Sequence, residues 1–142
     1  MFTELSNKLN QILYKKFKVF SFFLLRFGLG ISFILHGSDK FPLPPENLMK
    51  FFNFGPILSS FVAFSEVSSG VLLIVSGFIN KKVGNCLTRF SAFIIVIIMI
   101  CAFYFAHSDW FINSKLFKSE QIFLLLIGIF FLVNGNEIKK KK

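Results

Sequence analysis

The sequence predicts an all-α membrane protein, a four-transmembrane-helix bundle with a short N-terminal amphipathic helix. Hydrophobic residues make up 54% of the 142 and charged residues only 16%, which is too apolar for a soluble domain of this size. The apolar residues fall into runs long enough to reach the roughly 20 residues that a helix needs to cross a hydrocarbon core. The basic residues gather in short clusters beside those runs, as cytoplasmic flanks do. The net charge of +9 therefore does not imply nucleic acid, because no basic amphipathic face carries it. The 23 phenylalanines, abundant alongside Ile, Asn and Lys, fit AT-rich coding better than an aromatic site.

Residues 1–18 place Leu5, Leu9, Ile12 and Leu13 at helical spacing with lysines between them. The pattern predicts a cytoplasmic amphipathic helix lying on the membrane surface. Span one follows over about 19–37. It begins too far along the chain, runs too long and lacks the small-residue site of a cleavable leader, so it is expected to remain as a helix. The prolines of PLPPEN, 42–47, cannot continue that helix, and LMKFFNFG after them suits a short interfacial piece. Span two covers about 56–79, with Pro56 suited to a first turn. The basic connection NKKVGN leads into span three, about 83–106. In the next loop Trp110 and Phe111 read as interfacial anchors. Span four needs about 118–136 to reach crossing length, which draws Glu120 and Gln121 to the membrane edge. The membrane domain is thus 19–137, and 138–142 is a basic cytoplasmic tail. Basic residues at the N-terminus, at 80–89 and at the C-terminus place both termini in the cytoplasm of a bacterial-type inner membrane.

Ionisable residues inside the spans are costly and need partners. At 100° per residue, Arg26, Gly30, Gly37 and Lys40 share one face of span one, with His36 close by, and Ser59, Ala63, Glu66, Gly70 and Gly77 share a stripe of span two. Such faces of small and polar residues point into a bundle. Arg26 lies about 12 Å beyond Lys18, and Glu66 about 15 Å from the start of its helix. In antiparallel neighbours these depths are similar, so Arg26 and Glu66 are the expected ion pair, serving as a brace between spans or in binding and proton movement.

Topology brings His36, Lys40, His107 and Glu120 to the outer ends of spans, above Glu66 and Arg26. A polar pocket open to the outer leaflet is the expectation, and a carboxylate beside a histidine in a dry site suits proton exchange. Solvated interfacial histidines are the plain alternative. A metal held by His36, His107 and Glu120 has no local spacing to support it. Cys86 and Cys101 share one apolar segment about 22 Å apart, too far to bridge, and are expected to be buried apolar thiols.

The order of LRFGLGISFILHGSDK, FSEVSSGVLLIVSG, a third span ending in His107 and EQIFLLLIG resembles the DoxX family of small four-helix membrane proteins. The resemblance spans about 22–135. It implies family positions at Arg26, His36, Gly37, Lys40, Glu66, Gly70, His107 and Glu120. Related DoxD-type proteins act with a partner subunit as thiosulfate:quinone oxidoreductase, so the resemblance implies a quinone and an electron-donating partner. The family's span-two motif carries paired glycines after the glutamate, whereas this chain has Ser68, Ser69 and Gly70.

Two functions follow. In the first the chain is a quinone-linked oxidoreductase subunit: Glu66 and His107 exchange protons, Arg26 keeps Glu66 ionised, and His36, Lys40 and Glu120 face the substrate. Haem attachment sites, flavin or nicotinamide fingerprints and paired redox cysteines are missing from the sequence, so electrons would come from a partner. In the second the chain is a non-catalytic assembly partner or a binder of small molecules or lipid, and its intramembrane charges are structural. The sequence leaves open whether the chain is an enzyme and whether it forms homo-oligomers; solute transport is the weakest reading, because there is no internal repeat.

Overall fold

A computed structural model describes residues 2–79, 81–106 and 114–136. Its helices are α1 (Phe2–Ser38), α2 (Glu46–Phe52), α3 (Pro56–Ser76), α4 (Lys81–Ala106), α5 (Ser114–Lys118) and α6 (Glu120–Asn134). Three stretches are long and apolar enough to cross a membrane: Asn10–Ser38, Pro56–Ser76 and Lys82–Ala106. The large side chains facing away from the bundle, among them Leu24, Ile31, Phe61, Phe64, Phe93 and Ile100, are apolar, as a lipid-facing surface requires.

The expected separate N-terminal helix is instead continuous with span one. No Gly or Pro interrupts the chain before Gly28, and the lysines at 15, 16 and 18 are good helix formers, so nothing stops the helix there. At 37 residues α1 is about 55 Å long, well beyond a hydrocarbon core. Span four differs in the other direction. Ser119, at φ −89° and ψ 148°, separates α5 from α6, and Gly135, at φ 58°, ends α6. The remaining 15 residues rise only about 22 Å. The short helix expected after the prolines is α2, which ends at Asn53 in the left-handed region before Gly55 and Pro56 start α3.

α1 packs on α3, α3 on α4 and α4 on α6, while α6 touches α1 only lightly. The α1/α3 contact is set by glycine. A Cβ on Gly70 would lie 2.5 Å from the Gly30 carbonyl oxygen, and one on Gly37 would lie 2.8 Å from the Val67 nitrogen. The two backbones therefore touch, which is possible only without side chains at those points. Around this seam Leu29, Phe33, Leu73, Ala92, Ile95, Met99, Leu124 and Phe131 form the core. Cys86 and Cys101 are free thiols but exposed, contrary to the expected burial. In a membrane protein an apolar residue serves equally well facing lipid, so hydrophobicity alone does not place it inside.

Candidate functional site

Of the faces expected to point inward, Arg26, Gly30 and Gly37 on α1 and Ser59, Ala63, Glu66 and Gly70 on α3 are buried, whereas Lys40 and Gly77 are half-buried and His36 is exposed. Their register, however, separates the charges expected to pair. Gly37 packs against Glu66 and Val67, and Gly77 against Arg26. Arg26 is eleven residues before Gly37 on the same helix, so it sits about 16 Å from the level of Glu66. Equal depth along two helices holds only where each span starts flush with the membrane edge. The Gly30/Gly70 contact sets the offset instead.

Arg26 belongs to the end of the bundle where α3 turns into α4. Its Nη1 donates to the Leu73 carbonyl at 2.5 Å and to the hydroxyls of Ser76 and Thr88 at 3.1 Å each. Its Nη2 donates to Asn136 Oδ1, and the guanidinium carbon stands 4.9 Å from the centre of the Phe131 ring. Thr88 donates to Asn136 Oδ1 at 2.7 Å, the Asn136 amide donates to the Ser76 carbonyl at 2.9 Å, and its backbone N–H to Asn85 Oδ1 at 2.9 Å. One guanidinium thus ties α1, α3, α4 and the residues after α6. Among the described residues no carboxylate pairs with it. The neutral acceptors of several helices take up its N–H groups, as a buried cation requires.

Glu66 lies toward the opposite end, beside the end of α1 at Gly37. Its carboxylate pairs with Lys40, whose ammonium also donates to the His36 carbonyl at 3.2 Å. His36 Nε2 stands 3.4 Å from Glu120 Oε1, bringing α6 to the same end. Side-chain exposure falls along this series from 73% at Glu120 through 46% at His36 and 23% at Lys40 to 8% at Glu66. Two ionisable pairs, Glu120–His36 and Lys40–Glu66, joined through the His36 backbone carbonyl, thus grade in exposure from the surface to a buried carboxylate. Among the described residues two buried polar atoms at this end have no hydrogen-bond partner, the Ser59 hydroxyl two turns from Glu66 on the same stripe, and Gln121 Oε1 next to Glu120. The serines after Glu66 turn to the backbone, Ser68 donating to the Ser65 carbonyl at 3.3 Å. Ser69 donates to the Glu66 carbonyl at 3.0 Å, and Ser91 on α4 donates to the Ser69 carbonyl at 3.0 Å.

The site expected from sequence is thus brought together at His36, Lys40, Glu66 and Glu120 and does not include Arg26. His107, the second expected proton carrier, lies outside the described residues, as do Trp110 and Phe111. Two open grooves flank the first half of α1, one lined by Tyr14, Phe17, Lys18 and Phe130, the other by Ile12, Lys16, Phe20 and Phe23. Both are remote from Glu66. Sequence reading missed Thr88 and Asn136. Thr88 could have been found as a polar residue among the apolar ones of span three, but Asn136 is the last residue of the expected fourth span and lies past the Gly135 cap, where no periodicity reaches it.

Comparison with curated proteins and with solved structures finds no match for this chain. A family profile, DoxX, matches residues 21–108, more than half of the chain. The match runs from the membrane half of α1 past the end of α4, so it contains Arg26, His36, Lys40 and Glu66 but not Glu120 or α6. With three helices long and apolar enough to cross a bilayer, the chain is a multi-pass membrane protein, and it belongs to the DoxX family.

Proposed function

We propose that this DoxX protein is a quinone-linked oxidoreductase subunit with four spans, both termini in the cytoplasm of a bacterial-type inner membrane, and a site at the outer end where Lys40 and Glu66 meet. The observation that carries this reading is the graded series Glu120, His36, Lys40, Glu66. A buried carboxylate joined to the surface by groups that can hold or release a proton is what a substrate exchanging protons inside the membrane needs. Reduction of a quinone to its quinol takes two electrons and two protons. The electrons come from a partner subunit and the protons travel through the series. The orphaned Ser59 hydroxyl supports a polar head at this level, since it can donate to a carbonyl oxygen, and Gln121 Oε1 can accept from a hydroxyl. His107 completes the proton route in this reading, and Arg26 serves as a brace.

The alternative, an assembly partner or lipid binder without chemistry of its own, is favoured by the two grooves along α1, which lie away from the charged series. Mass spectrometry of organic extracts from protein purified in mild detergent separates the two. A quinone retained by wild type and lost from folded Glu66→Gln and Lys40→Gln variants is the expected result. No small molecule retained in any of them would remove the quinone site.

A further inference from the structure

The seam between α1 and α6 is much lighter than those of α1 on α3, α3 on α4 and α4 on α6, and at the α3–α4 end it opens into a groove of about 500 Å³. Its walls are Tyr14, Lys18, Phe22 and Leu25 on α1 and Phe130 and Asn134 on α6. The Phe22 and Phe130 rings meet at 5.1 Å at its deep end. From Tyr14 to Leu25 the groove runs about 16 Å along the helix, close to the depth of one bilayer leaflet. Antiparallel packing that sets Phe22 against Phe130 puts Asn134 level with Lys18. The polar groups of Tyr14, Lys18 and Asn134 therefore crowd the outer mouth, and the wall toward the membrane centre is apolar.

Lys18 is half-buried against these rings, and among the described residues no carboxylate pairs with it. The described chain around the groove is basic throughout. Residues 10–26, 78–106 and 130–136 carry Lys15, Lys16, Lys18, Arg26, Lys81, Lys82 and Arg89 but neither Asp nor Glu. A cation at a membrane edge, above an apolar slot as deep as one leaflet, is complementary to a lipid that joins a phosphodiester anion to an acyl chain. We infer that this groove is a binding site for an anionic phospholipid, with Lys18 on the phosphate and an acyl chain along Phe22, Leu25 and Phe130.

The site is distinct from the Lys40–Glu66 end and stands without the quinone reading. The test is native mass spectrometry of the full chain in detergent, with phosphatidylglycerol and phosphatidylcholine of matched acyl chains. Wild type is expected to retain the anionic lipid in preference. Lys18→Gln should reduce that preference about fivefold, whereas Lys118→Gln, at the other end of the bundle, should leave it intact. Ser21→Trp, which fills the slot, should lower retention of both lipids. No headgroup preference in wild type, a preference that survives Lys18→Gln, or lipid retention untouched by Ser21→Trp would each overturn the assignment. So would a dimer that excludes lipid, because a second copy would then occupy the groove.

Discussion

Removing the Arg26 guanidinium leaves the Leu73 carbonyl, Ser76, Thr88 and Asn136 to satisfy one another in a largely buried site. Each charge-assisted hydrogen bond contributes about 1.5–3 kcal/mol, so Arg26→Ala should destabilise the detergent-solubilised protein by roughly 3 kcal/mol or more. Thermal unfolding of the purified variant checks this. Glu66 should not share in the loss, because it sits in another network. A double-mutant cycle between Arg26 and Glu66 is expected to give a coupling within about 0.5 kcal/mol of zero, and one between Lys40 and Glu66 a coupling above about 1 kcal/mol. The reverse ranking would restore the pairing that the sequence suggests. Each residue's need for a partner was legible from its place in an apolar run. Which partner it took was not, because similar depth along two helices is a weaker constraint than backbone contact at glycine.

The α1/α3 pair depends on the absence of side chains at its seam. Gly70→Ala would drive a methyl group to 2.5 Å from the Gly30 carbonyl, and since the obstacle is backbone, the helices themselves must separate. A loss of about 1–3 kcal/mol is expected. Gly28→Ala meets nothing within 4 Å and should instead stabilise α1 by about 0.5–1 kcal/mol through helix propensity. Unfolding curves of the two variants side by side would test whether close approach or glycine flexibility matters. At α2, the hydrogen bond and charge of Lys50 hold the Glu46 carboxyl below its ordinary value. With the folded value depressed, the pair's contribution is present above the unfolded value and fades as pH falls through the folded one. Amide exchange in α2 should accelerate over that acid range while exchange in α3 stays unchanged. A pH-independent α2 would show the pair to be without consequence.

At the scale of the molecule, α6 decides the topology. Its rise of about 22 Å is short of the ~30 Å hydrocarbon core, so a crossing would need local thinning of the bilayer or help from the residues at either end. If α6 crosses, the chain passes the membrane an even number of times and both termini lie on one side. Reporter fusions at each terminus should then give the same cytoplasmic signal. Opposite signals would reduce the protein to three crossings and leave the far end of α6 on the Glu120 side, pulling Asn136 away from Arg26 and Thr88. The loose α1/α6 seam follows from the same short helix, which rests mainly on α4 and leaves the slot beside Lys18 uncovered.

The sequence alone determined that the protein is helical, multi-pass and a DoxX relative, because composition, run length and motif order are local properties that survive without coordinates. It also determined which faces turn inward, since helical periodicity places small and polar residues on a common stripe. Only tertiary structure decided that Arg26 braces the α3–α4 end while Glu66 takes Lys40, and that Asn136 reaches back into the bundle. Those choices depend on the axial offset between helices. Steric contact of Gly30 with Gly70 sets that offset, and no count of residues within either helix contains it.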